Sequence, residues 1–449
     1  MLQPSSRSLP LAAVLLLGCC LASQANRVYV HPFYLFAAEN VSCETLQTDA
    51  AKPLRTLAVA SLDAAVLAPD ARDPVEDAAR QNVTQQTAVL AELLNSLGIR
   101  MYQTLSAQQG STNTLLSPVN TYGSLVTFYL GASKKTAGSY QLLLGLNRDT
   151  DQEDCVSLVD GHKVLKTLQS INSLVDDGPK DEIVTRVWAF APQGARLSED
   201  FVQGTQDFSD ASFTRAVDFS RVEEAQGLVN GFVERTSEGR VKDLFKDLRP
   251  DANLLFMSSF IFKGNWKTAF QPERTSLQEF HVDDNTTVTV RRCTVVKLPL
   301  SKRSYMLLVL PNEGIKLKDI EGKLRSDVIA DWHQYLQEGQ LELSLPKFSM
   351  SSVTDLRQLL ANMAAEVEER LLGSEAEFDR LSGSKPFTID KVFNQVQFEM
   401  SEEGSEHQDK GLEAGVPLKL TINRPFFFSI TEGHSNAILM LGKITNPTL

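Results

Sequence analysis

The chain has 449 residues, of which 42% are hydrophobic and 22% are charged, a balance typical of a soluble globular protein. Its length allows one large domain or two or three ordinary ones. The formal net charge of -12 gives an acidic surface that repels phosphate backbones, so nucleic acid is excluded as an expected partner.

The first 25 residues have the pattern of a cleaved secretion signal. Arg7 supplies a positive charge, residues 9–21 form an apolar run, and Ser23 and Ala25 are small residues at the two positions that a signal peptidase reads. The apolar run of about 13 residues is too short to cross a membrane, which takes roughly 20. We therefore expect a mature chain that begins at Asn26 and a secreted, extracellular protein with no membrane partner.

Three cysteines remain after this removal, because Cys19 and Cys20 leave with the signal. Outside the cell, Cys43, Cys155 and Cys293 allow one disulfide bridge and one leftover thiol. The residues alone leave all three pairings open.

Three Asn-X-Ser/Thr sequons, at Asn40, Asn82 and Asn285, are candidate glycosylation sites. Each is a weak signal alone. Together with a secretion signal they indicate glycosylated surface positions.

The first part of the mature chain is low in regular pattern. Residues 36–87 show no strong helical periodicity and are punctuated by Pro53, Pro69 and Pro74. This pattern predicts an N-terminal extension with partial structure, and not an independently folded unit.

Helical and strand patterns are mixed along the rest of the chain. Leucines at steps of three and four predict a helix near Leu90, and an apolar helix is predicted for residues 118–130. Further helices are predicted near residues 229–248 and 355–372, and strands near residues 188–190, 254–262, 306–311, 341–348, 418–422, 426–430 and 437–441. Because no βαβ unit repeats, the expected class is α+β.

Several segments in this region resemble, in the same order, the signature motifs of the serpin family. They are residues 113–118 (NTLLSP), 230–236 (NGFVERT), 262–266 (FKGNW), 345–348 (LPKF) and 424–426 (RPF). The resemblance covers residues 88–449. It implies one serpin domain with three β-sheets and about nine helices, preceded by the extension of residues 36–87.

A serpin body usually means a protease inhibitor, so a serpin-type serine protease inhibitor is the alternative function. Inhibition requires the cleaved reactive loop to insert as a new strand in the main sheet. Beyond the hinge at residues 402–405, one face of the loop carries His407 and Asp409, and the other carries Glu406 and Lys410. Either face would bury an ionisable side chain without a partner. We therefore expect a non-inhibitory body.

The other end of the mature chain carries a second resemblance. Its first eight residues are similar to a vasoactive octapeptide hormone that a non-inhibitory branch of the serpins carries, and they are Asn26, Arg27, Val28, Tyr29, Val30, His31, Pro32 and Phe33. Tyr34 and Leu35 complete a hormone decapeptide of residues 26–35. Asn26 replaces the aspartate, and Tyr34 the histidine, that such precursors commonly have.

This second resemblance implies a prohormone and not an enzyme. A renin-type aspartic protease would cut between Leu35 and Phe36, two large apolar residues astride one bond. A zinc carboxydipeptidase would then cut between Phe33 and Tyr34, and the octapeptide would act on a cell-surface receptor that regulates blood pressure and salt balance. No cofactor is implied, and the six histidines show no metal-ligand spacing.

The backbone of the hormone segment is expected to be extended. Pro32 disfavours helix at His31, and the residues Val28, Tyr29 and Val30 favour extended backbone. Because an aspartic protease binds an extended strand, we expect the segment to be open to it.

The resemblance also implies a disulfide bridge between Cys43 and Cys155, with Cys293 left as a free thiol. Such a bridge would hold the Leu35–Phe36 bond in place and, if labile, would act as a redox switch on peptide release.

Overall fold

The computed structural model describes residues 32–38, 54–71, 85–147, 159–175, 182–268, 270, 293–300, 303–336, 339, 341–383, 387–406 and 418–448. These residues form eleven helices and fourteen strands. The helices are α1 (Pro32–Phe36), α2 (Gln85–Gln109), α3 (Pro118–Gly131), α4 (Lys134–Leu144), α5 (Gly161–Val175), α6 (Glu199–Phe208), α7 (Val222–Thr236), α8 (Leu317–Glu321), α9 (Ser326–Tyr335), α10 (Leu356–Met363) and α11 (Ala365–Leu371).

The strands alternate with these helices along the chain. They are β1 (Thr56–Ala58), β2 (Thr114–Leu116), β3 (Glu182–Pro192), β4 (Arg196–Ser198), β5 (Ala211–Val217), β6 (Leu255–Thr268), β7 (Cys293–Pro299), β8 (Ser304–Pro311), β9 (Leu341–Ser344), β10 (Met350–Asp355), β11 (Lys391–Glu406), β12 (Leu418–Thr421), β13 (Phe426–Glu432) and β14 (Ile438–Ile444).

The main sheet has five strands in the order β10-β11-β6-β3-β5. Its centre is the parallel pair β6 and β11, which stays in register from Leu255↔Lys391 to Asn265↔Ser401 and continues, after a shift, to Thr268↔Glu406. The second five-stranded sheet, β2-β14-β13-β8-β7, is antiparallel, and β9 and β12 form a separate parallel pair. The α+β class is therefore confirmed. A fourth, two-stranded sheet pairs β1 of the extension with β4.

The core lies between the sheets and helix α3, which is buried along its whole length. The residues at the N-terminus of this helix favour helix initiation. The Ser117 hydroxyl accepts a hydrogen bond from the Asn120 N–H, and Pro118 occupies the first turn. Gly123 lets Phe208 of α6 approach so closely that a Cβ would lie 2.0 Å from its ring. A smaller cluster fills the space between the main sheet and α7, with Trp188, Phe190, Phe213 and Phe232 among its members.

The helix expected for residues 229–248 is wrong in its second half. Helix α7 ends at Thr236, and Glu238, Asp243 and Asp247 have left-handed backbone with φ of 58°, 51° and 52°. Tertiary contacts hold this irregular stretch, because the buried Asn230 amide donates to the Phe245 carbonyl and accepts from the Phe245 N–H. The region expected as one helix over residues 355–372 is two helices, α10 and α11, which Ala364 separates with extended backbone.

The hinge expected at residues 402–405 continues β11, which pairs with β6 as far as Glu406. His407, Asp409 and Lys410, on which the expected failure of insertion depends, lie outside the described residues. No helix among the described residues is long and apolar enough to cross a membrane.

Candidate functional site: the cleavage segment

Residues 32–36 form the short helix α1, whereas residues 28–31, for which extended backbone is expected, lie outside the described residues. Phe33 and Phe36 are one turn apart, so both rings point into the main core, where they are 5% and 0% exposed. Burying each ring stabilises this arrangement by about 2 kcal/mol. Pro32 is compatible with the helix because it stands at its first position.

The peptide bond between Leu35 and Phe36 is held on both sides by the body. The Leu35 carbonyl oxygen accepts a hydrogen bond from the Gln86 side-chain amide of α2 at 3.2 Å. The Phe36 carbonyl oxygen accepts one from the Asp160 N–H at 2.8 Å, and Ala37 forms an antiparallel bridge with Val159. A protease that reads an extended strand cannot engage this bond until α1 unwinds.

Tyr34 occupies the outer side of α1 and is 59% exposed. Its ring meets the Phe33 ring edge to face, with centroids 5.4 Å apart. The Phe33–Tyr34 bond thus joins a buried residue to an exposed one, and both bonds expected to be cut lie within the same helical turn.

A charged cluster lies beside this segment at the start of α5. The His162 Nδ1 lies 2.7 Å from the Asp207 carboxylate, and its Nε2 lies 3.7 Å from that of Asp200. Burial by itself lowers the pKa of His162, but the hydrogen bonds to Asp200 and Asp207 outweigh it and raise the pKa to about 9. The imidazole is therefore charged at neutral pH. His162 lies two residues after Asp160, whose N–H donates to the Phe36 carbonyl.

No group of three or more His, Cys, Asp or Glu side chains in the described part of the chain could hold a metal ion. Cys293 is unbridged and half-buried at the start of β7, and burial raises the pKa of its thiol.

Several expected site residues lie outside the described residues. They are Asn26, Arg27, Val28, Tyr29, Val30 and His31 of the hormone segment, the proposed bridge partners Cys43 and Cys155, and the sequons at Asn40, Asn82 and Asn285.

Gln86 and Asp160, which bind the carbonyl groups of Leu35 and Phe36, could not be predicted from the sequence. Neither belongs to a motif, and Gln86 is 51 residues from the carbonyl it binds. Only the packing of α1 against α2 and α5 brings them to the bond.

The family model for serpins (serine protease inhibitors) matches residues 92–447. Angiotensinogen from Rattus norvegicus is 30% identical and the alignment covers 94% of each chain. The angiotensinogens of Bos taurus and Homo sapiens are 28% and 27% identical over 99% of each chain. This chain belongs to the angiotensinogen branch of the serpin family.

Solved serpin structures show the same fold. Mouse protein-Z dependent protease inhibitor matches with a TM-score of 0.69 and 23% identity, over 80% of this chain and 98% of its own. Uncleaved ovalbumin matches with a TM-score of 0.68 and 18% identity, over 80% of this chain and 100% of its own. The expected serpin fold is thus confirmed.

In this serpin the seam between β6 and β11 is closed by side chains as well as by the backbone. The buried Asn394 amide of β11 donates to Ser258 of β6 at 2.9 Å and to Ser124 of α3 at 3.0 Å. Next to it, the Ser259 hydroxyl donates to the Gln395 side chain. A strand that entered between β6 and β11 would have to break these bonds.

Proposed function

We propose that this serpin is a secreted prohormone whose N-terminal decapeptide, residues 26–35, is released by a renin-type aspartic protease. The cut falls between Leu35 and Phe36. A zinc carboxydipeptidase then removes Tyr34 and Leu35, and the octapeptide acts on a cell-surface receptor that controls blood pressure and salt balance. The observation that carries the proposal is the likeness to angiotensinogens over nearly the whole chain, which includes the hormone segment.

The body controls when the hormone leaves. Because the Leu35–Phe36 bond is helical and bonded to Gln86 and Asp160, cleavage requires a prior opening of the segment. The observed rate of cleavage therefore scales with the population of the opened state.

We propose a Cys43–Cys155 bridge near this site. Ala37 and Val159 form an antiparallel bridge, and Cys43 lies six residues after Ala37 while Cys155 lies four residues before Val159. Beyond an antiparallel bridge, the chain after Ala37 and the chain before Val159 extend towards the same side. This arrangement supports the proposed Cys43–Cys155 pairing, which would leave Cys293 unpaired.

The body acts as a carrier and not as an inhibitor. The reactive loop leaves the end of β11, so an inserted strand would have to separate β11 from β6 and place His407 and Asp409, or Glu406 and Lys410, against the core. No observation specifically favours the inhibitory alternative beyond membership of the family.

Mass spectrometry of the peptides released by renin from the full chain tests the proposal. We expect residues 26–35 as the first product, and almost no cleavage of a Leu35→Lys variant, because a charge would enter an apolar pocket of the protease. A Tyr34→His variant, which restores the common residue, serves as the matched control and should be cut at the same bond. A principal cut at any other bond would overturn the proposal.

A further inference from the structure

Residues 54–71 of the N-terminal extension, here called the clamp segment, cover the outer edge of the main sheet. Ser61 forms a parallel bridge with Ala216 of β5, the Leu62 N–H donates to the Ala216 carbonyl, and the Ala216 N–H donates to the Ala60 carbonyl. Further along, the Asp70 N–H donates to the Ser212 carbonyl at 2.8 Å. These bonds occupy backbone groups that an edge strand would otherwise leave open.

A buried ion pair locks the clamp segment onto this edge. Arg215 of β5 is only 7% exposed, and its guanidinium donates to the Asp70 carboxylate and, at 2.8 Å, to the Ala68 carbonyl. The second Asp70 oxygen accepts the Thr214 N–H at 2.7 Å. The guanidinium also lies 5.8 Å from the ring centre of Phe232 in α7. A buried charge of the body thus has its counter-ion in the extension, and losing that counter-ion is costly.

The clamp segment binds a second part of the body through its two ends. Near its start, β1 pairs with β4, and the Glu199 N–H of α6 donates to the Arg55 carbonyl at 3.0 Å. At its end, the Gln206 side chain of α6 donates to the Ala71 carbonyl. The segment therefore joins the edge strand β5 to β4 and α6.

Strand β4 is in turn bonded to the chain that leads into β11. The Ser198 N–H donates to the Leu381 carbonyl at 2.8 Å, and the Ser382 hydroxyl donates to the Arg196 carbonyl at 2.9 Å. If β6 and β11 separate, β3 and β5 move with β6, because they are hydrogen-bonded to it in sequence across the sheet. The clamp segment binds both β5 and β4, so it links β5 to the β11 side through the bonds that β4 makes, and this link opposes the movement.

We propose that the clamp segment, fastened by the Asp70–Arg215 pair, is an intramolecular lock that keeps the main sheet closed between β6 and β11. The N-terminal extension then does more than carry a hormone. It is a structural part of the serpin body, and this role does not depend on cleavage at Leu35.

Hydrogen exchange of the full chain, followed by mass spectrometry, tests the lock with an Asp70→Asn variant. We expect amides in residues 255–265 and 391–401 to exchange at least tenfold faster than in the unaltered protein, although these strands do not contact Asp70. An Asp63→Asn variant is the matched control, because the Asp63 carboxylate is exposed and, among the described residues, accepts a hydrogen bond only from the nearby Ala65 N–H. In this control, the exchange rates of the amides in residues 255–265 and 391–401 should change less than twofold.

Faster exchange confined to the clamp segment and β5 in the Asp70→Asn variant would overturn the proposal. The Asp70–Arg215 pair would then stabilise only its own surroundings and not the β6–β11 contact. If that variant does not accumulate as folded protein, Arg215→Lys keeps the charge but loses the planar fork that reaches Asp70 and Ala68 together. We expect about fivefold faster exchange at β6 and β11 in that variant, and an unchanged rate there would equally refute the lock.

Discussion

The side-chain amide of Gln86 donates to the carbonyl group that the proposed protease would attack. A single hydrogen bond of this kind contributes about 1 kcal/mol, which corresponds to roughly a fivefold change in the population of the opened segment. Its neighbour Gln85, one residue earlier in α2, is exposed.

We predict that Gln86→Ala raises kcat/KM for release of residues 26–35 about fivefold, because the helical segment opens more often. Gln85→Ala should leave kcat/KM unchanged. The measurement is initial-rate kinetics with renin. If Gln86→Ala and Gln85→Ala behave alike, Gln86 does not restrain the bond.

At the same scale, His162 makes stability depend on pH. Its pKa of about 9 in the folded protein lies above the ordinary value of 6.5, so folding favours the protonated form. The resulting stabilisation is fully present below pH 6.5 and is lost as the pH rises through about 9. A shift of this size corresponds to about 3 kcal/mol at most, and to less here because the imidazole is a quarter exposed.

We predict that the free energy of unfolding in urea falls by about 1 to 3 kcal/mol between pH 6 and pH 9.5 because of this residue. His162→Gln should remove most of that slope and should match the unaltered protein more closely at pH 9.5 than at pH 6. An equal slope in both proteins would show that His162 gains nothing from Asp200 and Asp207.

At the scale of elements, helix α1 and the bridge between Ala37 and Val159 connect the hormone segment to α2 and α5. A Cys43–Cys155 bridge would reinforce this contact. It would close a loop of about 112 residues, for which chain entropy gives roughly 4 to 5 kcal/mol of stabilisation, an upper figure for most bridges.

We predict that non-reducing peptide mapping finds a Cys43–Cys155 peptide, and that Cys43→Ser is cut by renin faster than the unaltered protein because its segment opens more readily. Cys293→Ser is the control and should be cut at the unaltered rate, since Cys293 lies in β7 and is unbridged. A Cys43–Cys293 peptide would refute the pairing. Equal rates for Cys43→Ser and the unaltered protein would make the bridge purely structural.

At the scale of the whole molecule, the closed β6–β11 pair and the charged loop both oppose a large rearrangement of the serpin body. We predict that nicking the loop within residues 411–417 changes Tm by only a few degrees, because no new strand forms in the main sheet. Differential scanning calorimetry before and after nicking is the measurement, with nicked ovalbumin and a nicked inhibitory serpin run alongside for comparison. An upward shift of tens of degrees would demonstrate insertion and revive the inhibitory alternative.

The sequence by itself determined the fold class and the family. Strand and helix periodicities from Leu90 onward correspond to real elements, because burial of one face imposes a repeat that the residues must show. Short motifs such as residues 262–266 could be matched in order without any structure. The helix expected for residues 229–248 is longer than the observed one. Its end depends on the hydrogen bonds between Asn230 and Phe245, which meet only in the folded chain.

The conformation of the Leu35–Phe36 bond was decided by the tertiary structure alone. Phe33 and Phe36 enter the core together as one helical turn, and the helices they pack against are far away in the sequence. The environment of Arg215 was likewise decided by the tertiary structure. Its burial is tolerated because Asp70, which is distant in the sequence, supplies its counter-ion. Periodicity reports which face of an element is buried, whereas the partners that meet there are set by packing between segments far apart in the chain.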